Sequence, residues 1–170
     1  MKNNIVLVGF MGSGKTTVGK ALAKLSGYDF VDSDLEIERA KNKSITEIFN
    51  ENGEDYFRRA EAEIINELSS KSGLIIATGG GAVLNTENRN ALKKNGFIVY
   101  LKVTPETVVS RLKNDTTRPL LAKPNRNEII EQLINQREPL YQSICNVSIC
   151  ADGDADMLAK NIFALYSDKA

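Results

Sequence analysis

The stretch Gly9-Phe10-Met11-Gly12-Ser13-Gly14-Lys15-Thr16-Thr17 carries the complete spacing of a phosphate-binding loop, G-x-x-x-x-G-K-[ST]. Its flanks agree with that reading. The apolar run Ile5-Val6-Leu7-Val8 before it reads as a short buried parallel strand, and Val18 to Leu25 after it reads as a helix. The loop therefore sits at a strand-to-helix turn. Glycines at Gly9, Gly12 and Gly14 open backbone conformations closed to other residues, so successive N–H groups of Gly12, Ser13, Gly14 and Lys15 can converge on an anion. The helix beginning near Lys15 adds the positive end of its dipole. Lys15 can reach outer phosphates, and the Thr16 hydroxyl, with Thr17 beside it, is placed to ligate magnesium. The competing reading is a glycine-rich turn with a stray lysine, and it requires the glycine spacing, the Lys-Thr pair and the flanking elements to coincide by chance.

Bulk properties narrow what surrounds the loop. The 170 residues suffice for one domain with a real core and are short for two. The 22 basic and 22 acidic residues cancel, so nothing in the overall charge argues for nucleic-acid or anionic-membrane partners, and neither is expected. With no histidine in the chain, any general base near neutral pH is a carboxylate, a lysine or water. Cys145 and Cys150 do not make a metal-binding set and are expected to pack in the core of a protein in a reducing compartment. There is no signal-peptide pattern and no segment able to span a bilayer, so a cytoplasmic protein is expected, with nothing requiring more than a monomer.

Downstream, Tyr28 to Val31 reads as a second strand ending in Asp32-Ser33-Asp34. If the extended conformation persists, Asp32 and Asp34 face the same way, a candidate metal-plus-base pair; alternatively Asp34 is the N-cap of a helix over Leu35 to Lys41. Ser44-Ile45-Thr46-Glu47 is a capping box opening a short helix, and a longer helix is expected from about Asn52 to Ser70. On it, Arg59 lies between Asp55 and Glu63 on an exposed face, whereas Arg58 borders the apolar stripe in line with Glu61. Arg58 either points into a cleft, oriented by Glu61, or covers apolar surface with its stem. A third strand, Leu74 to Ala77, ends in Thr78-Gly79-Gly80-Gly81, either a flexible turn or a place where a ligand approaches the backbone closely. Asn88 to Lys94 is a helix, Phe97 to Leu101 a fourth strand, and Thr104-Pro105 opens a helix ending near Lys113.

The polar stretch 113–124, with Pro119 and Pro124, reads as a mobile lid able to bring Arg118 to the phosphates; Arg118 as a plain surface arginine is the alternative. Asn125 caps the next helix, on whose apolar stripe Arg137 sits. A guanidinium there needs an anionic partner, either an internal carboxylate or a substrate. Pro139 is expected to kink that helix. Asn146 to Ala151 is a fifth strand and Ala155 to Tyr166 a closing helix. Five apolar strands alternating with helices predict an α/β fold, a doubly wound five-stranded parallel sheet whose ligands bind at the strand C-terminal edge.

Taken together, Gly9 to Thr17, Asp32-Ser33-Asp34, Phe57-Arg58 with Glu61, Gly79-Gly80-Gly81, Arg118-Pro119-Leu120-Leu121 and Arg137 with Pro139-Leu140-Tyr141 resemble the shikimate kinases, small members of the nucleoside-monophosphate-kinase-like P-loop group. The resemblance covers nearly the whole chain. It implies a three-layer αβα domain over 1–170 with a lid at about 113–124 and a shikimate-binding segment at about 32–61. It also implies transfer of the γ-phosphoryl group of ATP to the 3-hydroxyl of shikimate, a step of aromatic amino-acid biosynthesis. By position, Asp34 binds the hydroxyls and takes the proton, Asp32 and Thr16 hold Mg2+, and Arg58 and Arg137 clamp the carboxylate. Gly79, Gly80 and Gly81 lie against the ring side, while Arg118 meets the transferring phosphate with Lys15. The family's adenine-contacting loop often carries an arginine and a proline, which Ala151-Asp152-Gly153-Asp154-Ala155 lacks; Arg111 is an adenine neighbour by resemblance only. A nucleotide or gluconate kinase of the same fold explains the loop equally well but leaves Arg58 with Arg137 and the glycine run less accounted for. A nucleotide-dependent switch needs an effector surface that the short loops hardly offer.

Overall fold

A computed structural model of the chain describes residues 3–114 and 124–168. Its centre is a parallel sheet of β1 (Asn4–Val8), β2 (Asp29–Asp32), β3 (Leu74–Ala77), β4 (Gly96–Lys102) and β5 (Val147–Cys150), in the order β2-β3-β1-β4-β5. The central strand pairs Ile5 with Ile75 and Phe97 on its two sides. All of β1 and β3 is buried, as expected for strands covered on both faces.

Side-chain alternation along these strands sorts the core into two layers. Val6, Val8, Ile76, Ile98 and Tyr100 pack under α3 (Ile45–Ser70), α4 (Thr86–Asn95) and α6 (Arg126–Ile144), through Ile65, Leu68, Leu92, Tyr141 and Ile144. Ile5, Leu7, Ile75, Phe97 and Val99 face α1 (Lys15–Ser26) and α7 (Ala155–Ser167), through Val18, Leu22, Ala159 and Ile162. The three-layer αβα architecture expected from the alternating pattern is thus present. Two smaller cores serve the edge where ligands bind. Phe10, Met11 and Leu112 pack with Ile130 and Ile134 of α6 beside α5 (Pro105–Arg111), while Ile37 of α2 (Ser33–Lys41) packs with Ile48, Phe57 and Ala60 of α3.

Several local expectations are corrected. Strand β2 stops at Asp32, whose carboxylate caps α2 by accepting from the Asp34 and Leu35 N–H groups at 3.0 and 3.5 Å. Asp34 is therefore in the first helical turn, neither the cap nor the next same-side residue of a strand. Other expectations hold: the capping box at Ser44 is present, and the short and the longer helix expected after it are both found, α3 being two helical stretches that meet at a kink at Gly53, whose φ is +80°. Pro139 lies inside helix α6, as expected. Cys145 is half-buried against the core, but Cys150 is exposed, because β5 is an edge strand and Cys150 lies on its outward side. Among the described residues no helix is long and apolar enough to cross a membrane.

Gly96 marks where α4 meets β4. A Cβ there would lie 2.6 Å from the Leu92 carbonyl oxygen and 2.6 Å from Val6 Cγ2, so the junction has no room for a methyl group. Gly96→Ala is expected to cost about 1–3 kcal/mol of stability. A lowered denaturant midpoint at unchanged m-value is the signature; a midpoint equal to that of the unsubstituted protein would contradict the packing described.

Candidate active site

The phosphate loop leaves β1 at Gly9 and enters α1 at Lys15. Gly12 and Gly14 have φ of +75° and +87°, the left-handed conformations that turn successive N–H groups to one side, and Gly14 is the N-cap of α1. The Lys15 ammonium folds over the loop and donates to the Gly9 and Phe10 carbonyls at 2.8 and 2.9 Å and to Ser13 Oγ at 3.4 Å. An ammonium held by carbonyl dipoles above converging N–H groups is poised to exchange them for phosphate oxygens.

A cleft of about 250 Å³ opens over this loop, lined by Gly12, Gly14, Lys15, Thr16 and Thr17 on one side and by Asp32, Asp34, Gly79 and Gly80 on the other. Thr16 Oγ1 donates to Asp32 Oδ2 at 3.1 Å. The second oxygen of Asp32 caps α2, so the same carboxylate fixes the start of the helix carrying Asp34. Strand alternation does not bring the two aspartates together, as the sequence suggested; capping by Asp32 does. Thr16 Oγ1 and Asp32 Oδ2 are both oxygen donors of the kind magnesium takes, and among the described residues there is no group of three or more His, Cys, Asp or Glu able to hold a metal ion.

Beside the cleft, two arginines stand against the glycine run, Arg137 at Gly80 and Arg58 at Gly81. Arg58 Nη1 donates to Glu61 Oε2 at 2.9 Å, and Nη2 lies 3.3 Å from Glu54 Oε1, while Glu61 is only 1% exposed. The Arg58 that bordered the apolar stripe therefore points inward and Arg59 outward, into solvent. Burial pushes the Glu61 carboxyl up, Arg58 pulls it partly back, and the fields of Asp34 and Arg137 also reach it. Arg137, 7% exposed, lies on one stripe of α6 with Ile130, Ile134, Tyr141 and Ile144, and its guanidinium stands 5.5 Å from the centre of the Phe10 ring. Arg58 and Arg137, 79 positions apart, thus converge on the field of one buried carboxylate.

The glycine run leaves room for the charged side chains around it. A Cβ at Gly79 would lie 2.5 Å from Asp34 Oδ1, one at Gly80 3.2 Å from the Met11 nitrogen and 3.7 Å from Arg137 Nη1, and one at Gly81 2.7 Å from Arg58 Nη1. Each glycine abuts a different functional side chain. Arg111 donates from Nη1 to the Gly12 carbonyl and from Nη2 to the Ala151 carbonyl, both at 2.9 Å, joining the phosphate loop to the end of β5. Arg118 and most of the expected lid lie outside the described residues. From sequence alone, Tyr141 and Ser33 have no role of their own and enter only within the motifs around Arg137 and Asp34; the i,i+4 spacing of Arg137 and Tyr141 on one stripe was the available signal for the first.

A family model described as shikimate kinase matches residues 11–166. The chain is 45% identical over 169 residues to a shikimate kinase of Pasteurella multocida, covering 98% of this chain and 97% of that one. Among solved structures, the shikimate kinase of Acinetobacter baumannii in complex with shikimate superposes with a TM-score of 0.95 at 42% identity, covering 99% of this chain and 95% of that one. That of Aquifex aeolicus gives a TM-score of 0.86 at 33% identity, with 98% and 97% covered. With a matched family model over most of its length and relatives of this identity along the whole chain, the protein belongs to the shikimate kinase family.

Proposed function

We propose that this protein transfers the γ-phosphoryl group of ATP to the 3-hydroxyl of shikimate, releasing ADP and shikimate 3-phosphate. The observation that carries this reading is the presence, around and beside one cleft, of a phosphate loop, the carboxylates of Asp32 and Asp34, and two guanidiniums, that of Arg137 buried and that of Arg58 half-buried. A donor needs only the loop. Two arginines held inside a domain, one at 7% exposure, suit an acceptor that brings its own carboxylate.

In this reading Gly12 to Thr17 cradle the triphosphate and the Lys15 ammonium turns from the Gly9 and Phe10 carbonyls to the outer phosphates. Arg58 and Arg137 hold the shikimate carboxylate, and Gly79, Gly80 and Gly81 form the surface against which the ring rests. Asp34 accepts the proton of the 3-hydroxyl as its oxygen bonds to the γ-phosphorus and the bond to the bridging oxygen breaks, the electron pair leaving with ADP. Thr16 and Asp32 are the oxygen donors that would hold Mg2+, whose charge offsets that of the β- and γ-phosphates. Arg118 is assigned to the transferring phosphate by resemblance, and Arg111 to the adenine side, where its bonds to Gly12 and Ala151 support it. Positioning and charge neutralisation supply most of the acceleration in phosphoryl transfer, so the absence of histidine is no obstacle. The proposal includes one domain over 1–170, acting as a cytoplasmic monomer on a small-molecule substrate, with neither nucleic acid nor membrane as a partner.

A coupled assay of ADP release with shikimate, gluconate and nucleoside monophosphates tests the reading. Shikimate alone should support turnover; turnover with gluconate and not shikimate would overturn it. Lys15→Ala should abolish phosphoryl transfer. Asp34→Asn should keep ATP binding, measured by calorimetry, and lose turnover, so retained activity in that variant would remove Asp34 from the role of base.

A further inference from the structure

The glycine run Gly79 to Gly81 abuts Asp34, Arg137 and Arg58 in turn, yet glycines have no side chains with which to hold themselves in place. Two buried hydroxyls on different helices do so. Ser33 Oγ, on a residue 0% exposed at the start of α2, accepts from the Gly79 N–H at 3.1 Å. Tyr141 Oη, on a residue 1% exposed in α6, donates to the Gly80 carbonyl at 2.5 Å. The Tyr141 ring is stacked on Tyr100 of β4, with centroids 5.0 Å apart and planes 24° apart, so the ring that carries the hydroxyl is held against the sheet. Burial pushes the Tyr141 phenol up, and the nearby Arg137 guanidinium offsets only part of this. The group therefore stays protonated and remains a donor at working pH.

We infer that Ser33 and Tyr141 are positioning residues that clamp the Gly79–Gly81 run and thereby set the spacing of the acceptor pocket. The inference rests on the function proposed above. Neither hydroxyl needs to touch substrate. Ser33 ties Gly79 to the helical turn that also carries Asp34, and Tyr141 ties Gly80 to the helix that carries Arg137 one turn earlier. The spacing has little slack, since a Cβ at Gly79 would already meet Asp34 and one at Gly81 would meet Arg58. A shift of the run thus alters the contacts with Asp34, Arg58 and Arg137 together, whereas it meets the phosphate loop only through Gly80 at Gly9 and Met11, before the Gly14 and Lys15 N–H groups that open α1.

Steady-state kinetics of Tyr141→Phe and Ser33→Ala, with both substrates varied and thermal unfolding followed in parallel, test the clamp. Tyr141→Phe is expected to raise KM for shikimate about tenfold, the loss of roughly one good hydrogen bond, while KM for ATP stays within about twofold. Ser33→Ala should move the same constant in the same direction and carries the test if Tyr141→Phe does not fold. Unchanged KM for shikimate in both variants would overturn the inference. So would parallel changes in both Michaelis constants with a lowered Tm, which is what a merely structural role predicts. Failure of the unsubstituted protein to phosphorylate shikimate is a different result, rejecting the parent reading and the clamp with it.

Discussion

A guanidinium on the core-facing stripe of a helix must be compensated, and the acceptor half of this protein is built around that requirement. Arg137 sits at 7% exposure over the Phe10 ring, against Tyr141 and within the field of Glu61, which is itself ion-paired to Arg58. Removing a charge from water is costly unless partners replace the lost hydration. Here Arg58 is paired with both Glu61 and the more exposed Glu54. Arg137 makes no ion pair among the described residues and keeps a buried Nε without a hydrogen-bond partner, leaving beside it a recess that an incoming carboxylate suits.

That recess acquires meaning from where the sheet puts it. In a parallel sheet every strand ends on the same edge, so β1, β2 and β3 deliver the phosphate loop, Asp32 and the glycine run side by side. Asp32 then joins the two halves. One of its oxygens caps the helix carrying Asp34 and the other accepts from Thr16 at the start of α1. The donor and acceptor halves are therefore fastened through one carboxylate.

Much of this was legible in the sequence, for identifiable reasons. Strands such as Ile5–Val8 and Leu74–Ala77 are continuous apolar runs with turn residues at their ends, and the loop motif is specific in spacing as well as composition. The inward aim of Arg58 and Arg137 was half legible: helical spacing put both on or beside apolar stripes, and only packing decided that they converge. The geometry of Asp32 and Asp34 was not, because extrapolating strand alternation ignored the cap that turns the chain at Asp32. The division of α3 into a short and a longer helix was legible, because Gly53 breaks the helical backbone beside the boundary expected at Asn52. Cys150 was misread as core because periodicity does not reveal which strand lies at an edge. The clamp on the glycines stayed hidden since hydroxyls 108 positions apart leave no local pattern.

The central claim is that a carboxylate on the acceptor, read by Arg58 and Arg137, selects the substrate. The most direct measurement compares kcat/KM for shikimate with that for its neutral methyl ester. The two charge-assisted contacts predict a fall of about a hundredfold or more for the ester. Values within a few-fold of each other would contradict the account and return both arginines to a structural role.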